Sequence, residues 1–93
     1  MEGKKRDKDT MAAYTAIMAS DLPEVEKVHE AFKLVTDFYI TDGEREMELL
    51  RAMSDRENLV KVQIKVSTFR SAQAILSEAF RMASRQTAAG RKV

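Results

Sequence analysis

His29 is the first residue to ask about chemistry, because an imidazole is the side chain best suited to move a proton near neutral pH. It is the only histidine, and it lies between Val28 and Glu30, close to Glu26. Its neighbours at helical spacing, Val25 and Lys33, are not metal ligands. A zinc site takes three or four convergent His, Cys or carboxylate ligands, and this chain has no cysteine. His29 is therefore expected at the surface or at the edge of a core. Asp42, Glu44, Glu46 and Glu48 form the densest acidic group. Glu44 and Glu48 fall one turn apart on a helix. They lack the calcium-loop pattern, and paired-carboxylate hydrolysis needs a pocket that a narrow helical hairpin does not offer. A solvated helix face is the expectation. Ser67, Ser71, Ser77 and Ser84 sit in no nucleophile-elbow motif, and Gly3, Gly43 and Gly90 are isolated, so neither a phosphate-binding loop nor a dinucleotide fingerprint is present. No catalytic residue, metal site or cofactor is expected, and the chain is read as non-enzymatic.

Charge suggests a second kind of chemistry. The net charge of +1 hides an asymmetry: residues 10–59 carry five bases and eleven acids, net −6, while residues 60–93 carry seven bases and one acid, net +6. Such opposed charge suits complementary packing, either within a hairpin or between subunits. Lys61, Lys65, Arg70, Arg81 and Arg85, with Arg91 and Lys92 beyond, are the candidate electrostatic-binding residues. Backbone phosphates could use them. No helix-turn-helix, zinc finger or aromatic stacking platform accompanies them, so nucleic-acid binding stands as the alternative.

The elements that would carry these residues are helices. Leu59, Val62, Val66, Phe69, Gln73, Leu76, Phe80 and Ala83 recur in alternating steps of three and four, which places them on one side of a helix. A stripe of this length needs a partner surface. Leu59, Val62, Val66, Phe69, Leu76 and Phe80 are the candidate protein-interface residues. Gln73 is either a polar residue at the stripe's edge or a device that sets register inside a helical interface, with the edge favoured. Upstream, Asp21 and Pro23 announce a helix over about 22–40. Its Val25, Val28, Phe32, Val35 and Tyr39 are expected to oppose the C-terminal stripe. Leu34 and Phe38 widen its apolar side.

Thr10 is expected to cap a short first helix ending near Ser20, with Met11, Tyr14, Ile17 and Met18 on its apolar side. Asp42-Gly43 is read as a break, with Thr41 and Glu44 as a capping box for a short helix over 44–53, whose Met47, Leu50 and Met53 face inward. Ser54 and Glu57 form a second capping-box candidate, opening the longest helix at about 55–86. The expected organisation is a disordered tail at 1–9, one helical domain at 10–86 and a flexible basic tail at 87–93. The fold class is all-α: a small helical bundle or an antiparallel helical hairpin with a long C-terminal helix. Val60, Val62, Ile64 and Val66 alternate with polar residues as a strand would, which makes α+β the runner-up.

A chain of 93 residues buries only a modest core, so association is an effective source of stability. The charged N-terminus lacks the apolar run of a signal peptide, and no stretch reaches transmembrane length. A cytoplasmic location is expected, with signal-less export through a specialised machine left open.

Ser54-Asp55-Arg56-Glu57-Asn58-Leu59 leads through Gln63 and Phe69 into a long helix with small polar residues such as Ser77. This segment, residues 54–84, resembles the C-terminal half of small type III secretion needle and inner-rod proteins. Arg56 stands where that family often has proline, and the basic end from Arg81 to Lys92 is not its usual ending. The resemblance implies a structural subunit that is exported poorly folded and polymerises with its C-terminal helices around a lumen. The expected partners are further copies of the chain or a helical protein. An adaptor or chaperone for a partner helix is the other form of the same class.

Overall fold

The computed structural model describes the backbone of residues 2–90 and the side chains of residues 7–85. The fold is all-α, a small three-helix bundle of α1 (Glu2–Ala19), α2 (Glu24–Ala52) and α3 (Arg56–Gly90), with no strand among the described residues. The 60–66 alternation that mimics a strand is helical. Val62 and Val66 turn inward there, while Val60 and Ile64 are exposed.

Four expected boundaries change. The stretch 1–9, read as a disordered tail, is helical from Glu2. Its charged residues have long side chains that are good helix formers, and charge alone does not break a helix. At the other end α3 runs through 87–90, where Ala88 and Ala89 favour helix; residues 91–93 of the expected basic tail lie outside the described residues. The break at Asp42-Gly43 is absent, because α2 is one helix from Glu24 to Ala52 and Thr41 and Glu44 lie inside it rather than at a cap. A glycine inside a helix costs about 1 kcal/mol relative to alanine, and packing explains why it is kept. A Cβ on Gly43 would collide with Cγ2 of Val66 on α3. Finally, Pro23 rather than Asp21 takes the N-cap position of α2, with no side-chain cap bond.

The α2–α3 turn is a Schellman motif. The Asp55 N–H donates to the Leu50 carbonyl at 2.9 Å and the Ser54 N–H to the Arg51 carbonyl at 3.1 Å. Ser54 takes the left-handed position of the motif, with φ 57°. The cap of α3 is therefore Asp55, not Ser54. Its Oδ1 accepts from the Asn58 N–H at 3.2 Å, and its Oδ2 from Asn58 Nδ2 at 2.8 Å. These two bonds hold the Asp55 carboxyl below the usual aspartate range. Met53, expected to face inward, lies at the C-cap of α2 and is 65% exposed.

Helix α2 packs on α1 and on α3, while α1 and α3 do not meet among the described residues. The three helices lie side by side in one layer with extents of 60 × 26 × 11 Å. The radius of gyration is 17.1 Å, against roughly 12 Å for a compact chain of this length. A single layer encloses little. Ile40, Leu50, Val62 and Val66 form the core, with Met47, Leu59 and Phe69 packed against it, and no large side chain among the described residues is completely buried.

Candidate interaction surfaces

The long stripe of α3 is covered, and what covers it is α2 of the same chain. Val62 and Val66 are buried, and Leu59, Phe69, Gln73, Leu76 and Phe80 are half-buried, while Ala83 is exposed. The six candidate interface residues therefore make the seam of a hairpin. Phe69 stacks on Tyr39 with ring centroids 5.2 Å apart, and Phe80 stacks on His29 at 4.3 Å with the rings 5° from parallel. His29 thus sits at the boundary of the seam, its Nε2 3.3 Å from Ser77 Oγ.

The opposing seam on α2 differs from the stripe read in the sequence. Thr36, Ile40, Gly43, Met47 and Leu50 take the central positions, and Val25, Val28 and Tyr39 are exposed. Thr36 is only 4% exposed and is the one buried polar residue described. Its hydroxyl donates to the Phe32 carbonyl at 2.7 Å and accepts from Gln73 Nε2 at 2.6 Å. Gln73 Nε2 also reaches Asp37 Oδ1 at 2.8 Å. Gln73 is therefore a cross-helix clasp rather than an edge residue. Neither the hydrophobic pattern nor the turn signals mark Thr36 or Gly43. The only sequence signal for them is that both fall at helical spacing from Ile40 and Leu50.

The five candidate electrostatic residues do not share a face. At about 100° per residue, Lys61 and Lys65 lie on one flank of the α3 stripe and Arg70, Arg81 and Arg85 on the other. Arg70 Nη2 pairs with Glu44 Oε2 at 3.1 Å across the seam. Lys61 pairs with Glu57, and Arg81 with Glu78, within α3. The acidic group splits likewise, Glu44 facing α3 while Asp42 and Glu46 fall on the other side of α2 by helix register.

Two open grooves run along the seam on opposite faces of the layer. One, of about 300 Å³, is lined by Lys33, Arg70, Gln73, Ala74 and Ser77. The other, also about 300 Å³, is lined by Val25, Val28, His29, Leu76, Ala79, Phe80 and Ala83 and is almost wholly apolar. Along this stretch of the seam, one broad face of the layer is polar and the other is apolar. Among the described residues, no group of three or more His, Cys, Asp or Glu is placed to hold a metal ion. No helix among them is long and apolar enough to cross a membrane. No family model, curated protein or solved structure matches the chain.

Proposed function

We propose that this chain is a non-enzymatic helical interaction module whose working form is an assembly with protein, made through its outer helix faces. One observation carries this. The helices form a single layer 11 Å thick, and the second apolar surface left over is uncovered. Domains reach stability by packing two layers around a core, and a one-layer chain gains its second layer from another molecule. Met11, Tyr14 and Met18 of α1 and Val25, Val28 and Tyr39 of α2 are all exposed, more large apolar surface than a working monomer usually presents.

In its finer form the module is a rod or needle-like structural subunit, made in the cytoplasm. The turn at 54–58, the length of α3 and the hairpin of α2 with α3 support that form. Packing between copies would then use the exposed sides of the helices, because Leu59, Val62, Val66, Phe69, Leu76 and Phe80 already face α2. The test is thermal unfolding followed by helicity over a hundredfold range of protein concentration. Association linked to folding raises Tm with concentration. A constant Tm, together with a constant monomer mass by light scattering, would overturn self-assembly.

A further inference from the structure

The two broad faces can be traced residue by residue. On the polar side, Lys33, Arg70 and Gln73 line one groove and the Glu44–Arg70 pair crosses the seam. On the other side, Val25, Val28, Leu76, Ala79 and Ala83 line the apolar groove. Carrying the right-handed register of each helix across the antiparallel layer brings Met11, Tyr14 and Met18 of α1 out on this same apolar side. Val35 and Tyr39 continue it along α2, and Phe69 and Ala72 along α3. From Val25 to Tyr39 on α2 and from Phe69 to Ala83 on α3, no position of this face carries a lysine, arginine or carboxylate, and His29 in the groove is stacked on Phe80; on α1 the same side is free of charge from Thr10 to Met18, with Asp7, in register with Met11, marking its end. Beyond Tyr39 the face changes character, because Asp42 and Glu46 on α2 and Lys61 and Lys65 on α3 occupy it. The apolar half is the half on which all three helices lie abreast.

We propose that the chain forms a two-fold dimer in which this half-face, bearing Met11, Tyr14, Val28, Tyr39, Ala79 and Ala83, packs on the same half-face of a second copy. This rests on the broader assembly reading above, not on its rod form, because a two-fold contact closes at two copies and does not grow. Three features select a second copy. Half of a 60 by 26 Å face is about 800 Å² per partner, the size of a standard stable interface. A surface without charge is complementary to itself, since pairing it with its own image buries no unmatched ion. An acidic or basic partner would find no opposite charge there. Overlap confined to the apolar halves also sets the helices antiparallel and leaves Asp42, Glu46, Lys61 and Lys65 outside the contact. The apolar groove then takes large side chains from the other copy, and the polar faces remain outermost on both layers.

The test is sedimentation equilibrium of the full chain at low and high salt, beside Val28→Glu, Ala79→Glu and Ile64→Glu. Val28 is 61% exposed, and Ile64, 62% exposed, lies on the outer edge of α3 away from the half-face. Helicity measured in parallel reports whether each variant folds. The expected result is a dimer that salt does not weaken, with dissociation raised at least tenfold by Val28→Glu and by Ala79→Glu and unchanged by Ile64→Glu. Growth beyond two copies, or a dimer lost with Ile64→Glu and indifferent to Val28→Glu, overturns the two-fold contact while leaving the assembly reading standing. A monomer at every concentration overturns the dimer and every other form of self-assembly. If that monomer binds phosphatidylcholine–phosphatidylglycerol vesicles and Val28→Glu abolishes the binding, the face belongs to a lipid surface instead.

Discussion

Gly43 and Ser54 show how a residue's meaning is set by what stands opposite it. Gly43 resembles a helix breaker in isolation, yet it lies in mid-helix where Val66 of α3 approaches the α2 backbone. Two terms compete in Gly43→Ala. Helix propensity favours alanine by about 1 kcal/mol, while overpacking a tight contact costs about 1–3 kcal/mol. Val66 is β-branched and stiff in a helix, so the clash wins. Gly43→Ala is expected to destabilise by about 1 kcal/mol in urea unfolding, and adding Val66→Ala should reverse the sign of the glycine substitution. Ser54 presents the opposite case. It holds a left-handed conformation with φ 57°, at a cost of about 1–2 kcal/mol for a residue with a Cβ. Ser54→Gly is expected to stabilise by about 0.5–1 kcal/mol, after the larger backbone entropy of glycine in the unfolded chain is subtracted. Asp55 caps α3 as an acceptor from Asn58. Its folded pKa is depressed, so its contribution is present at neutral pH and is lost as pH falls through the folded value. Asp55→Ala should therefore lower stability at pH 7, and the difference from the parent should vanish in strong acid. A difference that persists there would remove the cap from the account.

At the scale of elements, the register of α2 against α3 depends on polar contacts as much as on apolar ones. The core of Ile40, Leu50, Val62 and Val66 lies toward the turn. Farther along the seam Gln73 reaches Thr36 and Asp37, and Arg70 reaches Glu44. The Arg70–Glu44 pair has both side chains more than half exposed, so it adds at most about 1 kcal/mol. The Gln73–Thr36 bond is partly buried and matters more. A cycle of Gln73→Ala, Thr36→Val and the double variant should give a coupling of about 0.5–1.5 kcal/mol. Zero coupling would reduce Gln73 to a bystander. Helix α2 also serves two neighbours at once. Its apolar positions divide between α3 and α1, where Leu34 and Phe38 line a groove with Thr10. That division explains why Leu34 and Phe38 widen the apolar side read in the sequence: they belong to a second seam. Lys27 ties the two helices further, its Nζ donating to the Met18 carbonyl at the end of α1 at 2.9 Å.

Across the whole molecule, the opposed charges at 10–59 and 60–93 are partly used inside the chain. The α2–α3 hairpin sets acidic α2 beside basic α3, as the Glu44–Arg70 contact illustrates. Raising salt should therefore cost the monomer fold little, since the Glu44–Arg70, Glu57–Lys61 and Glu78–Arg81 pairs are exposed and already screened. Reversing Arg81 and Arg85 to glutamate places two new acids on the polar face of α3, opposite the apolar one. If association uses the apolar half-face, the dimer constant should change less than threefold in sedimentation, at low salt as at high. A large loss would move the interface to the polar side.

The sequence by itself determined that this chain is helical and roughly where its helices lie, because three-four spacing over long stretches is a local property that any neighbour must respect. The three-four stripe read in α3 coincides with its covered side from Leu59 to Phe80, while Ala83 at its end is exposed. Only the tertiary structure decided what covers that seam. It also decided which side of α2 faces it, and that α2 continues through Gly43. Each of these depends on how closely two helices approach, and a glycine that ends a helix has the same letter as one that lets a valine in. The layer's flatness was likewise beyond the sequence. It follows from α1 and α3 choosing opposite sides of α2, a choice made by packing and not by any periodicity along the chain.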